Sequence, residues 1–144
     1  MNVLVIHGPN LNLLGEREPE IYGTQTLADI DAAIAKTAGS LGLTVTSVQH
    51  TAEDAIVTAL HEARKKYDAV IINPGAFTHY SIAIADAISA INIPVIEVHL
   101  SNIAARESFR SKSVVAPVSK GSISGFGANS YLLALHAVAL GGRG

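Results

Sequence analysis

The sequence contains no cysteine and little of several other residue types, and each shortage excludes a class of protein. Without cysteine, the 144-residue chain has no disulfide framework and no thiolate chemistry. Aromatic residues make up only 5% of it and no basic stripe is present, which argues against nucleic acid as the main partner. No apolar run approaches the roughly 20 residues that span a membrane. Because a strand begins by Val3, no signal peptide is expected, and the chain should be cytoplasmic.

Charged residues are scarce as well, at 15% of the chain against about 25% in an average soluble domain. The shortage predicts that other copies of the chain cover part of the surface. We therefore expect an oligomer, although composition alone does not give its size. The length suits one domain, covering residues 1–144, with a sizeable core.

Short apolar runs alternate with helical patterns along the chain, which is typical of βαβ units and a parallel sheet. We expect strands near residues 2–7, 43–49, 69–73, 95–98 and 113–118, and helices near residues 27–40, 51–66, 81–91 and 129–140. This pattern favours a flavodoxin-like three-layer α/β sandwich with a five-stranded parallel sheet in the order 2-1-3-4-5. Pro117 has no N–H group, which places the fifth strand at an edge.

Two of the predicted helices begin with the spacing of a capping box. Thr26 precedes Asp29 by three residues, and Thr51 precedes Asp54 by three. In such a box each side chain accepts a hydrogen bond from the other residue's backbone N–H. We therefore expect Thr26 and Thr51 to cap their helices.

Polar side chains follow three of the predicted strands at the point where each strand ends. Asn10 follows the first strand, Asn73 ends the third, and His99 follows the fourth. Because the carboxyl ends of parallel strands meet at one edge of a sheet, and ligands bind there, these groups predict a site.

The fourth strand carries a pair suited to proton transfer. Glu97 and His99 alternate, so both side chains point to the same side of the sheet. A carboxylate beside an imidazole orients the ring and raises its pKa, so that the histidine can act as a general acid. The alternatives are a structural ion pair and a metal site using His79 and His99, although no recognised ligand spacing is present.

The segment from Gly15 to Gly23 is long for a connection between a strand and a helix and resembles a lid. It carries Arg17 and Tyr22. An arginine about 4 Å from a tyrosine favours the phenolate by up to about 4 kcal/mol at an effective dielectric of about 20. That equals roughly three pKa units before desolvation, enough to supply a base near neutral pH. In the alternative, Arg17 pairs with Glu16 or Glu20 and Tyr22 only packs.

Other chemistry-bearing residues give weaker signals. Four histidines lack an acidic companion in the pattern and are expected to be structural or solvated, namely His7, His50, His61 and His136. The glycine-rich stretch 121–127 matches neither a P-loop nor a dinucleotide fingerprint and is interpreted as a tight strand-to-helix turn. No lysine follows a strand closely, which argues against Schiff-base chemistry.

Five segments stand out when taken together: GPNLNLLG at 8–15, REP and YG within 17–23, NPGA and TH within 73–79, EVHLSN at 97–102, and ARE and FR within 105–110. In order and spacing they resemble the type II 3-dehydroquinate dehydratases. The resemblance runs from the first strand to Tyr131 in the last helix. It implies a flavodoxin-like fold, a homododecamer built as a tetramer of trimers, and a lyase that uses no cofactor and no metal to convert 3-dehydroquinate into 3-dehydroshikimate.

The resemblance also implies a role for individual residues. Tyr22 would remove a C2 proton, Arg17 would hold Tyr22 as phenolate, and Asn10 would help to hold a water at the enolate oxygen. His99 would protonate the departing C1 hydroxyl, with Glu97 orienting the machinery. The substrate carboxylate and hydroxyls would be held by Asn73, His79, the backbone of Leu100 and Ser101, and Arg110, and Asp86 would reach the site of the next subunit.

One segment departs from the family, which usually has an asparagine and a glycine after strand two where this chain has residues 49–54, QHTAED. The departure affects the expected subunit contacts rather than the chemistry. Two alternatives of other classes remain. One is a flavodoxin-like module for FMN or signalling, although Gly8-Pro9-Asn10-Leu11 offers neither a phosphate loop nor an acidic cluster. The other is a structural oligomer with an inactive site.

Overall fold

A computed structural model describes residues 1–141 of the chain, apart from the side chain of Tyr22. Five strands form one parallel sheet in the order β2-β1-β3-β4-β5. The strands are β1 (Asn2–His7), β2 (Thr44–Gln49), β3 (Ala69–Asn73), β4 (Val95–His99) and β5 (Gly121–Ser124). The predicted strand order is therefore confirmed.

Among residues 1–141, five α-helices connect and flank the strands. They are α1 (Pro19–Tyr22), α2 (Leu27–Ser40), α3 (Glu53–Lys66), α4 (Ile82–Ala90) and α5 (Asn129–Gly141). Short 3₁₀ turns occupy Leu11–Leu13, Gly75–His79, Ile103–Ala105, Ser108–Arg110 and Ala116–Val118. Within residues 1–141, no helix combines the length and apolar composition needed to cross a bilayer.

The sheet is covered on both faces, which gives the predicted three layers. Val3 and Val5 of β1 are fully buried against α2 and α5, whereas Leu4 and Ile6 are buried against α3 and α4. Such alternation follows from the two-residue period of a strand. Each aliphatic side chain buried in this way contributes roughly 1.5–3 kcal/mol. A sheet buried on both faces leaves its strand ends as the place where polar groups can meet solvent.

The capping box of α2 is confirmed. The Asp29 backbone N–H donates to Thr26 Oγ1 at 3.1 Å, and the Thr26 N–H donates to Asp29 Oδ2 at 3.0 Å. The box expected at the start of α3 is wrong. Ala52 is the N-cap and no side chain caps the helix, while the Asp54 carboxylate accepts from the adjacent Ala55 N–H. Thr51 lies one residue before the N-cap, which is too early for its hydroxyl to accept a hydrogen bond from the first free N–H groups of the helix.

The fifth strand was expected near residues 113–118, and this prediction is wrong. The strand is β5 at Gly121–Ser124, and Ala116–Val118 forms a 3₁₀ turn. Val115 is fully buried in the core beneath α3 and α4, so its apolar character serves packing rather than pairing. Within the described part of the chain, β5 pairs only with β4, and an edge strand of this kind needs little apolar surface. The turn predicted across 121–127 is correspondingly shorter and follows Ser124.

A close approach of two backbones shapes the rim at which β1 and β3 end. The Gly8 N–H donates to the Asn73 carbonyl oxygen at 2.7 Å. A Cβ atom at position 8 would lie 2.7 Å from that same oxygen, closer than real Cβ contacts allow. Glycine is therefore required there, and it brings the residues after β1 against those after β3.

Candidate active site

The carboxyl ends of β1, β3 and β4 surround a solvent-open cleft, called here the rim cleft, with a cavity volume of about 120 Å³. Most of the predicted site residues line it, namely Asn10, Arg17, Asn73, His79, His99, Leu100, Ser101 and Arg110. The structure thus brings together residues that lie up to a hundred positions apart along the chain. The carboxyl ends of the three strands therefore meet at one cleft, as expected, and the use of this cleft as a catalytic site stays a prediction.

Glu97 and His99 form a buried pair on β4. His99 Nε2 lies 2.7 Å from Glu97 Oε2, and the two residues are 6% and 1% exposed. Because a carboxylate only accepts hydrogen bonds, Nε2 is the donor and the proton-bearing nitrogen of this contact. The ring's Nδ1 is then the atom left for a ligand in the rim cleft.

Two hydroxyl groups that received no role in the sequence prediction complete this pair. Thr78 Oγ1 donates to Glu97 Oε2 at 2.5 Å, and Ser113 Oγ donates to the same oxygen at 2.8 Å. Burial by itself would raise the pKa of the Glu97 carboxyl, but His99, Thr78 and Ser113 together hold that pKa below its usual value. Glu97 therefore stays ionised and keeps the imidazole in one orientation.

The rim cleft is rich in cationic groups. Arg17, Arg106 and Arg110 line it, and Arg106 is a lining residue that received no role in the sequence prediction. Arg110 Nε lies 2.7 Å from Glu107 Oε2, and its guanidinium stacks over Phe109 at 5.0 Å from the ring centroid. Three guanidinium groups around one small cleft suit an anionic ligand, since carboxylates pair with arginine.

His79 has a defined tautomer. Its Nδ1 lies 2.7 Å from the carbonyl oxygen of Lys112, which can only accept, so Nδ1 carries a proton. Nε2 is then free to accept a hydrogen bond from a ligand hydroxyl when the ring is neutral. The metal alternative with His99 gains no further ligand, because among the described residues no group of three or more histidine or acidic side chains could hold a metal ion.

Asn10 adopts a backbone conformation that few residues other than glycine tolerate. Its φ is 71°, in the left-handed region, and it caps the turn Leu11–Leu13. Asparagine accepts this region more readily than other side chains, and strained positions of this kind cluster at functional sites. The conformation turns the chain sharply at a residue that lines the rim cleft.

The lid segment contains the short helix α1. Arg17 Nη2 lies 3.4 Å from Glu18 Oε2, and the Arg17 side chain is 28% exposed. Tyr22 ends α1, but its side chain lies outside the described residues. The expected contact between Arg17 and Tyr22 therefore stays a prediction, as does the role of Tyr22.

Asp86 does not line the rim cleft of its own chain. It is exposed on α4, on the helix that also carries the exposed Ile82. Its expected role in the site of a neighbouring subunit stays a prediction.

Of the histidines expected to be structural or solvated, His61 and His136 are exposed and His50 is half-buried. For His7 the assumption that it lacks an acidic companion is wrong. His7 is 1% exposed, and its Nε2 lies 2.8 Å from Asp31 Oδ1 on α2. Burial lowers the pKa of His7 and outweighs the opposing pull of Asp31, so the ring is neutral.

Comparison with known proteins gives one family throughout. The sequence model of the family described as "Dehydroquinase class II" matches residues 1–139. The chain is 56% identical over 139 residues to a 3-dehydroquinate dehydratase of Pelotomaculum thermopropionicum, with 96% of each chain covered. It is 57% identical over 137 residues to one of Desulforudis audaxviator, covering 95% of this chain and 91% of the relative. The crystal structure of the type II dehydroquinase from Propionibacterium acnes superposes with a TM-score of 0.93, at 47% identity and 96% coverage of both chains.

Proposed function

The chain belongs to the class II dehydroquinase family, and from this premise we propose that it removes water from 3-dehydroquinate to give 3-dehydroshikimate through an enolate. It is a hydro-lyase of the shikimate pathway. The observation that carries the mechanism is the buried Glu97–His99 pair facing a cleft lined by guanidinium and amide groups. A binding module for FMN or signalling is not favoured, because family membership extends over nearly the whole chain.

The first step needs a base, because a hydrogen next to a ketone is only weakly acidic. We assign this role to the phenolate of Tyr22, with Arg17 holding the ionised form. Support comes from the position of Arg17 in the wall of the rim cleft and from the placement of Tyr22 at the end of α1, five residues later. A cation near a phenol lowers its pKa.

The enolate that follows needs a hydrogen-bond donor at its oxygen, since negative charge develops there in the transition state. Asn10 would provide this through a water that it helps to hold. Its left-handed backbone and its position in the lining of the rim cleft support the assignment. A fixed backbone lets the side chain stabilise the enolate without reorganising first.

Loss of the C1 hydroxyl needs an acid, because hydroxide is a poor leaving group. His99, which lines the rim cleft, would donate this proton from Nδ1, the ring nitrogen that is not bonded to Glu97. Glu97, ionised and held by Thr78 and Ser113, would stabilise the protonated ring and fix its plane. Asn73, His79, Arg110 and the backbone of Leu100 and Ser101 would hold the substrate carboxylate and hydroxyls.

The activity is tested by mixing the purified protein with 3-dehydroquinate and following the enone absorbance of the product. We expect turnover that saturates with substrate and needs no added metal or cofactor. A His61→Ala variant is a suitable control, because this exposed histidine of α3 lies away from the rim cleft and should react at the rate of the unaltered protein. Absence of product from the folded protein would refute the proposed function.

We further propose that the chain forms a homododecamer in which Asp86 reaches a neighbouring site. Support comes from the low charge content and from two exposed apolar side chains on or just before α4, the helix that carries Asp86: Ile82 is 60% and Tyr80 is 62% exposed. Light scattering should give about twelve times the 15.0 kDa chain mass. Asp86→Asn should raise KM about tenfold or more without changing that mass, whereas Glu62→Gln at an exposed position of α3 should change neither. A stable monomer or dimer would contradict the assembly.

A further inference from the structure

Four polar side chains, called here the relay, connect the surface of α2 with the rim cleft. Asp31 Oδ1 lies 2.8 Å from His7 Nε2, and His7 Nδ1 lies 2.9 Å from the Tyr131 hydroxyl on α5. Asn73 on β3 is the register partner of His7 on β1, so its side chain lies on the same side of the sheet as His7, where it interacts with the Tyr131 hydroxyl. His7, Tyr131 and Asn73 are each at most 3% exposed. The proposed mechanism uses only the last of these groups, so the other three call for a separate explanation.

The groups at the two ends of the relay, the Asp31 carboxylate and the Gly75 backbone N–H, can each play only one hydrogen-bonding role. The Asp31 carboxylate only accepts, which requires His7 to donate from Nε2 and therefore leaves Nδ1 as an acceptor in the neutral ring. Tyr131 must then donate its hydroxyl proton to His7 Nδ1. At the other end the Gly75 backbone N–H only donates, and it donates to Asn73 Oδ1 at 3.1 Å.

These constraints leave one orientation for the Asn73 amide. With Oδ1 held by Gly75, the Nδ2 group is the part of Asn73 that meets the Tyr131 oxygen, whose own proton points to His7. One N–H and one lone pair of the amide then remain for a ligand. A flipped amide would set its Nδ2 group against the Gly75 N–H, two donors facing each other. The direction of hydrogen bonding thus runs unbroken from Asn73 to Asp31.

We propose that Asp31, His7 and Tyr131 are positioning residues that fix which hydrogen-bonding face Asn73 presents to the substrate. The proposal rests on the proposed function, because it takes Asn73 to bind 3-dehydroquinate. It deepens that function by assigning part of substrate recognition to residues outside the rim cleft. The ring of Tyr131 also packs edge-on against the ring of His7, with centroids 5.1 Å apart, and this contact helps to keep the two rings in fixed relative positions.

Tyr131→Phe is the first test, because it removes the hydroxyl and keeps the ring. We expect KM to rise about five- to tenfold, the usual effect of losing one net hydrogen bond, with a smaller change in kcat. Tyr67→Phe serves as the matched control, since Tyr67 is half-buried at the end of α3, away from the rim cleft, and should leave KM unchanged. An unchanged KM in Tyr131→Phe would overturn the proposal.

A double-mutant cycle separates positioning from a merely structural role. If Tyr131 acts through Asn73, then Tyr131→Phe should raise KM in the unaltered protein but add nothing to the rise caused by Asn73→Ala. If the fold-increases in KM of the two single variants multiplied in the double variant, the proposal would be overturned, because Tyr131 would then act independently of Asn73. If Asn73→Ala itself left KM unchanged while turnover continued, the proposal would fail and the proposed function would stand.

Position 7 provides a rescue experiment. Glutamine has an amide N–H for Asp31 and an amide oxygen for Tyr131, whereas leucine has neither. His7→Gln should therefore keep KM within about twofold of the unaltered protein, and His7→Leu should match Tyr131→Phe. Equal KM values in the two variants would overturn the proposal.

Neutron diffraction of the deuterated protein tests the relay without a measurement of activity. We expect deuterium on His7 Nε2 and a Tyr131 deuteroxyl that points to His7 Nδ1. Deuterium on Nδ1, or a deuteroxyl that points to Asn73, would overturn the proposal even if the enzyme dehydrates 3-dehydroquinate. The opposite combination, the expected deuterium positions with no turnover, would leave the relay intact and refute the proposed function instead.

Discussion

Tyr22→Phe is expected to lower kcat by about a hundred- to ten-thousandfold, the range that a positioned general base contributes, while KM changes less than about threefold. Phenylalanine keeps the ring and removes only the hydroxyl, so the substrate should still bind. A base acts in the transition state and not in the ground state, which is why its loss should appear in kcat. Steady-state kinetics give both constants, and calorimetric titration of the variant gives substrate affinity directly.

The matched control for this variant is again Tyr67→Phe, which makes the same chemical change directly after α3, away from the rim cleft. Its kinetic constants should equal those of the unaltered protein. If Tyr22→Phe retained a rate within a few-fold of the unaltered protein, another group would have to remove the C2 proton. The assignment of Tyr22, and with it the role of Arg17, would then be abandoned.

The parts of the site that the sequence predicted well depend on local regularities. Glu97 and His99 lie two residues apart on a strand, and the two-residue period alone puts them on one side, where the structure finds them 2.7 Å apart. Likewise, Asn73 is the last residue of a strand that is buried along its whole length. The carboxyl ends of parallel strands lie at the edge of the sheet where ligands bind, so this position could be predicted. Neither inference needs knowledge of distant contacts.

The parts that were missed depend on contacts between distant elements. His7 was expected to lack an acidic companion, but Asp31 reaches it from α2 and Tyr131 from α5, which lie 24 and 124 residues further along the chain. Ser113 was assigned to a strand and instead donates to Glu97 from a loop. No periodicity or spacing carries such information, because it arises only when the helices pack on the sheet.

The error at β5 shows the limit of strand propensity. The run Ser113-Val114-Val115 has the composition of a strand, yet Val115 is buried in the core under α3 and α4 and pairs with no strand among the described residues. The real strand, Gly121–Ser124, contains one apolar residue and is specified by pairing with β4. Tertiary packing therefore overrode the local preference on both segments.

His99→Ala is expected to lower turnover about a hundred- to ten-thousandfold, the usual contribution of a positioned general acid. Exchange of the C2 hydrogen with deuterated water should partly survive in this variant. Enolate formation and hydroxyl loss are separate steps in the proposed mechanism, and only the second requires a proton from His99. NMR in deuterated water follows the exchange, and the enone absorbance follows turnover in the same sample.

The two variants together test the division of labour between base and acid. Tyr22→Phe should lower exchange and turnover to the same extent, since both begin with removal of the C2 proton, whereas His99→Ala should separate them. The control His61→Ala should alter neither rate. If His99→Ala lost exchange in proportion to turnover, His99 would be acting before or during enolate formation. The pair with Glu97 would then stabilise the enolate rather than the departing hydroxyl, and the leaving group would need another acid.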